Sequence, residues 1–172
     1  MLKKRVEKAL NEQIEKEGYS SQLYLAMASW AEKNGYNGAA QFLYHHADEE
    51  REHMLKLFHY INDRDGYAIV PAMKQPPTEF ESLKSVFEGV LAHEQMITES
   101  INTLVGICAE EKDFTTQNFL QWYVTEQIEE ENLAKTNLDK LALLGDDKAN
   151  MYMFDKDLAE IAASLIAAEG GE

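Results

Sequence analysis

Residues 83–108 read LKSVFEGVLAHEQMITESINTLVGIC, and their apolar side chains recur at a spacing that suits a helix. Leu83, Phe87, Val90, Ile97, Ile101, Leu104 and Cys108 follow one another in alternating steps of four and three, with Glu94 on the step between Val90 and Ile97. Such steps keep one face of an α-helix turned to one side, so the stretch is a seam for packing against other helices. Glu94 stands on that seam, where burial favours apolar residues.

Three other stretches repeat the pattern. Leu10, Glu17, Tyr24 and Ala31, flanked by Val6 and Met27, form a first line; Leu43, Glu50 and Leu57, with His53 and Tyr60 on the intervening steps, form a second. Leu120, Gln127, Ala134 and Leu141 form the fourth, with Tyr123, Glu130 and Asn137 between them. The breaks agree with four long helices. Asn34-Gly35-Tyr36-Asn37-Gly38 closes a first helix of roughly residues 5 to 33, Glu111-Lys112-Asp113 separates the third from the fourth, and Gly145-Asp146-Asp147 ends the fourth.

All three prolines, Pro71, Pro76 and Pro77, fall between the second and third helices. That connection, Gly66 to Glu81, could run roughly 50 Å at about 3.3 Å per residue, close to the roughly 40 to 45 Å of each long helix. A crossover along the bundle is therefore expected, with helices two and three parallel and the pairs one–two and three–four antiparallel. The chain reads as all-α: a four-helix bundle over about residues 1–145 and a short fifth helix over about 150–168, in a single domain spanning 1–172.

Each polar interruption lies near the middle of its helix, so packing brings Glu17, Glu50, His53, Glu94, Gln127 and Glu130 to a common height. Taken singly, a polar residue in a seam is a register device or a solvated flank, His53 a satisfied core histidine, and Tyr24, Tyr60 and Tyr123 core aromatics with a bonded hydroxyl. Taken together they are harder to leave uncompensated, because four desolvated carboxylates in one pocket also repel one another. Two divalent cations bring four positive charges to the four negative charges of Glu17, Glu50, Glu94 and Glu130. Oxygen ligands with one imidazole suit iron or manganese, and iron is the metal expected.

Composition narrows the partners. With 31 acidic against 16 basic residues the formal charge is −15, which disfavours nucleic acid and favours cations. A single cysteine, Cys108, leaves no internal disulfide and no Cys-x-x-Cys metal site. The N-terminal run is charged and amphipathic, and no apolar stretch approaches a membrane span, so a soluble cytoplasmic protein with no membrane partner is expected.

At these residues the chain resembles the ferritins, especially the bacterial non-haem ferritins, over nearly its whole length. The resemblance rests on Leu10-Asn11-Glu12-Gln13, Glu17-x-Tyr19-Ser20-Ser21-x-x-Tyr24, His46-Ala47-Asp48-Glu49-Glu50-x-x-His53 and Glu126-Gln127-x-Glu129-Glu130. It implies iron storage with ferroxidase activity: Fe(II) oxidised by O2 or H2O2 at a di-iron centre of Glu17, Glu50, His53, Glu94 and Glu130, Glu50 bridging. Gln127 and Tyr24 would lie close around those ligands. It also implies a third iron site at Glu49, Glu126, Glu129 and Glu130; the seams alone leave Glu49, Glu126 and Glu129 as a solvated acidic face.

Two departures place the chain within that resemblance. The fourth helix offers Gln127-x-x-Glu130 rather than a second Glu-x-x-His, so a looser second metal is expected. Arg51 stands where a haem-ligating methionine follows the second-helix glutamate in bacterioferritins, and no haem is expected. The tail carries Phe154, Leu158, Ile161 and Leu165 on one stripe, and the resemblance implies that it lines four-fold pores of a 24-subunit cage. Glu110, Glu111 and Asp113 are candidates for an entry channel, with a solvated turn as the alternative. The rival readings are a di-iron oxidase acting on a soluble substrate and an acidic bundle without metal chemistry.

Overall fold

In a computed structural model, which describes residues 2–145 and 147–169, the chain forms α1 (Lys4–Lys33), α2 (Asn37–Asp63), α3 (Leu83–Glu110), α4 (Phe114–Leu144) and α5 (Lys148–Glu169). No strand occurs among the described residues. Of the expected stop Gly145-Asp146-Asp147, Asp146 lies outside the described residues, as do Met1 and residues 170–172. The fifth helix begins two residues earlier than expected and runs for 22 residues.

The helix ends are set by local chemistry. Gly35, at φ +86°, ends α1 by letting Tyr36 N donate to Ala31 O at 2.9 Å. At the α3–α4 turn Lys112 takes the same left-handed role at φ +55°, with Asp113 N on Cys108 O at 2.9 Å. Ser82 and Ser85 form a capping box at the start of α3, and Asp113 caps α4 by accepting from Thr116 N.

The crossover runs alongside α1. Tyr67 N bonds Glu7, Ile69 N bonds Asn11, Met73 reaches Gly18, and Phe80 meets Trp30 with ring centroids 5.9 Å apart. Successive strap residues thus meet successive turns of α1, which carries the chain back to the start of α3. Contacts between α1 and α3 run in opposite order, from Tyr24–Glu94 through Gln13–Ser100 to Arg5–Glu110. Helices α2 and α3 are therefore parallel, as the length of the connection predicts.

All eight seam residues of α3 are buried, and so are the seven named on α4. The apolar ones divide into two clusters. One contains Tyr24, Leu43, Phe87, Val90 and Ala134 with Phe154 and Leu158 of α5; the other contains Leu10, Ile14, Leu57, Ile97, Leu120 and Tyr123. Glu17, Glu50, Glu94 and Gln127 lie in sequence between members of the two, so the polar residues form a layer across the middle of the bundle.

Helix α5 is fastened to the start of α2. The Asp155 carboxylate accepts from Gly38 N at 3.0 Å and Ala39 N at 2.8 Å, meeting backbone donors that no turn of α2 can satisfy. Gly38 is required there because a Cβ would overlap the Asp155 carbonyl oxygen. Gly38→Val is expected to cost about 1–3 kcal/mol through overpacking, and Asp155→Ala about 1 kcal/mol through loss of the cap. Amide hydrogen exchange should quicken in α5 while α1, α3 and α4 keep their protection; unchanged protection of α5 in both variants would contradict this fastening.

Candidate metal centre

Each long helix contributes to the polar layer. Glu17 is 1% exposed, Glu50 2%, Glu94 0%, Gln127 3% and Glu130 8%, so none is a solvated flank. Glu17, Glu50 and His53 offer one ligand atom each within 4.8 Å of one another. His53 Nδ1 lies 3.4 Å from Glu50 Oε2, and that buried oxygen has no hydrogen-bond partner. Tyr123 donates to the His53 carbonyl at 2.7 Å and fixes the backbone beneath the imidazole.

Glu94 is held from two sides. The Tyr24 hydroxyl donates to Oε1, and Gln127 Nε2 donates to Oε2 at 2.9 Å. The amide nitrogen of Gln127 is thereby committed to Glu94, which leaves its carbonyl oxygen as the only atom it could offer a metal. Glu130 belongs to a second group, with His46 and Glu49, whose ligand atoms also lie within 4.8 Å of one another. Glu49 and Glu126 are half-buried and Glu129 is exposed. The acids of the implied third site therefore grade from the buried layer to the surface.

His46 was not among the ligands anticipated from the sequence. Its Nδ1 donates to Phe42 O at 2.9 Å, which leaves the Nε2 lone pair facing Glu130 Oε2 at 3.9 Å. The signal was present, since His46, Glu50 and His53 follow the same four–three spacing. The candidate channel acids carry ion pairs within the chain. Glu110 pairs with Arg5 at 2.7 Å, Glu111 with Arg5 and Lys3, and Asp113 with Arg64 while capping α4.

Burial controls the protonation of the layer. Loss of solvation pushes Glu17 up to about 7, against the hydrogen bonds from Gln13 and Glu50 that favour its ionised form. Glu50 is driven well above the usual carboxylate range by burial and then by repulsion from Glu17, Glu94 and Glu130. Glu130 is raised well above that range by burial, then by Glu94, Glu49 and the acids beside it on α4, and Glu94 by burial. The same burial lowers His46 and His53 to about 4, so both imidazoles are neutral near pH 7 and keep a lone pair for a cation.

The layer opens sideways. A groove of about 740 Å³ between α2 and α4 is lined by Glu49, Glu52, His53, Trp122 and Glu126, with Asp63 farther along α2. Glu126 Oε1 stands 4.0 Å from His53 Nε2, both residues on the wall of the groove. Buried carboxylates, neutral imidazoles and an acidic way out make an arrangement suited to taking up and passing on hard cations.

Known proteins share the sequence and the fold. A family model described as "Ferritin-like domain" matches residues 7–144. The chain is 48% identical over 162 residues to a "Probable bacterial non-heme ferritin-like protein" of Haemophilus influenzae, covering 94% of this chain and 98% of that one. It is also 48% identical over 164 residues to a "Bacterial non-heme ferritin" of Campylobacter jejuni, covering 95% and 98%. A solved open-pore ferritin from Archaeoglobus fulgidus superposes with a TM-score of 0.91 at 40% identity, over 92% of this chain and 98% of that chain. No helix among the described residues is long and apolar enough to cross a membrane. With its bundle, its carboxylate layer and these relatives in agreement, the chain belongs to the ferritin family of iron-storage proteins, alongside bacterial non-haem ferritins.

Proposed function

We propose that this ferritin oxidises Fe(II) in pairs at Glu17, Glu50, His53, Glu94 and Glu130 and deposits the product as hydrated ferric oxide inside a cage of 24 subunits. The carrying observation is Glu50. Its Oε2 is buried, has no hydrogen-bond partner, and sits among Glu17 and His53 in a layer whose acids repel one another. A cation on each side of Glu50 removes that repulsion and gives both carboxylate oxygens a partner.

Two Fe(II) ions are the substrate. Each gives up one electron, and the pair reduces O2 to H2O2, or H2O2 to water. The carboxylates change between terminal and bridging contacts as the charge rises, while Tyr24 and Gln127 keep Glu94 in place. Fe(III) then hydrolyses, and the released protons leave with the product. Glu49, Glu126, Glu129 and Glu130, with His46 beside them, form the third site and hand the ion to the α2–α4 groove.

Aerobic Fe(II) titration with size analysis separates this reading from its rivals. A ferritin takes up far more iron than its ligand sites can hold and keeps it in a particle of cage size. Uptake that stops near two ions per chain would favour a di-iron oxidase, and absence of rapid oxidation a bundle without metal chemistry.

A further inference from the structure

Glu17 is reached from outside by a row of polar side chains. Gln13, one turn before it on α1 and 1% exposed, donates from Nε2 to Glu17 Oε1 at 2.8 Å. Ser100 of α3 donates from Oγ to Gln13 Oε1 at 2.6 Å. Lys16 Nζ donates to Ser100 Oγ at 2.5 Å. All three line a groove of about 270 Å³ on the α1–α3 surface, with Gln13 as its buried floor.

The row has one direction. An ammonium group has donors and no acceptor, so Lys16 takes one lone pair of Ser100 and the hydroxyl proton points away from it, toward Gln13. That proton selects the carbonyl end of the Gln13 amide, and the NH2 end is left to face Glu17. A glutamine without this bond can present either end, and its carbonyl would repel the carboxylate. The inward donation fixes Oε1 of Glu17 as an acceptor, in a carboxylate that offers an oxygen within 4.8 Å of the Glu50 and His53 ligand atoms. A buried amide bonded at both ends is also the condition under which a side chain holds one rotamer.

We infer that Lys16, Ser100 and Gln13 form a positioning relay that holds Glu17 in its metal-binding orientation from the α1–α3 surface. The inference rests on the proposed role of Glu17 as a metal ligand. None of the three touches the metal; each acts through the next.

Anaerobic Co(II) titration of the full chain, followed by its visible absorption, tests the relay without requiring oxidation. Wild type is expected to bind two ions per chain at the layer. Gln13→Leu should weaken the ion held by Glu17 about 10-fold, the lower end of the effect of losing a partner that orients a ligand, and alter its absorption. Ser100→Ala should do the same to a smaller extent, and Ser100→Thr, which keeps the hydroxyl, should restore wild-type affinity and spectrum. A role in packing alone would shift the unfolding midpoint and leave the spectrum unchanged. Wild-type affinity and spectrum in Gln13→Leu, or equal impairment in both Ser100 variants, would overturn the relay while leaving the metal reading intact. Wild-type protein that binds no Co(II) would overturn the metal reading and the relay together.

Discussion

Glu50→Ala protein is expected to fold, to assemble at the wild-type size, and to oxidise Fe(II) about 100-fold more slowly or worse, since losing a ligand exceeds the loss of a group that merely orients one. Glu50 is the residue on which the layer converges, close to Glu17, His53 and the repelling charges of Glu94 and Glu130. Without it the two proposed ions would have no shared carboxylate to hold a fixed separation while their charge rises. His53→Ala should show a similar loss, because His53 supplies the only imidazole of the Glu17 group. The fold does not depend on either side chain, since the two apolar clusters lie above and below the layer. Stopped-flow measurement of Fe(II) oxidation alongside sedimentation checks both halves. Rapid oxidation retained in both variants would reject the assignment.

The second large effect concerns the metal-free protein, which should lose stability as the pH rises from about 6.5 to about 8. A carboxyl raised by folding contributes stability that is full below its unfolded value and is lost as the pH rises from there through its folded value. For Glu17, a rise from 4.5 to about 7 corresponds to about 3 kcal/mol in all, lost between those two pH values, so that roughly 1 kcal/mol of it remains to be lost above pH 6.5. Glu50 and Glu130 act in the same direction. The buried histidines act oppositely: His46, His53 and His93 are lowered to about 4, so they cost stability as the pH falls below about 6.5. Above that pH the carboxyls act alone. Denaturant unfolding of metal-free protein should show the decline, which should shrink in Glu17→Gln and largely disappear with divalent metal bound. Stability that is flat or rising over this interval in the metal-free wild type would contradict the crowding of charge.

Much of this was legible because the apolar spacing of each helix states which face is buried, and Glu17, Glu50, Glu94 and Glu130 stand on those faces. Glu49, Glu126 and Glu129 are different: they stand beside the seams, where spacing alone cannot separate a second metal position from an acidic face, and their graded exposure explains that ambiguity. Gln13 and His46 each precede a layer glutamate by four residues, so helical geometry placed them near the centre. Their partners Ser100 and Phe42 set their orientation, and only folding brings Ser100 there. Asp155 was wholly hidden, since its bonds to Gly38 and Ala39 join residues more than a hundred positions apart. The ion pairs of Glu110 and Glu111 were hidden as well, since their partners Arg5 and Lys3 lie more than a hundred positions away.

The central claim is that the layer holds two metal ions, and anomalous diffraction from a crystal soaked anaerobically in Fe(II) tests it most directly. Two iron peaks flanking Glu50, one reached by Glu17 and His53 and the other by Glu94 and Glu130, are the expected result. A map with no iron among these residues, or with their carboxylates turned away from a common point, would contradict it.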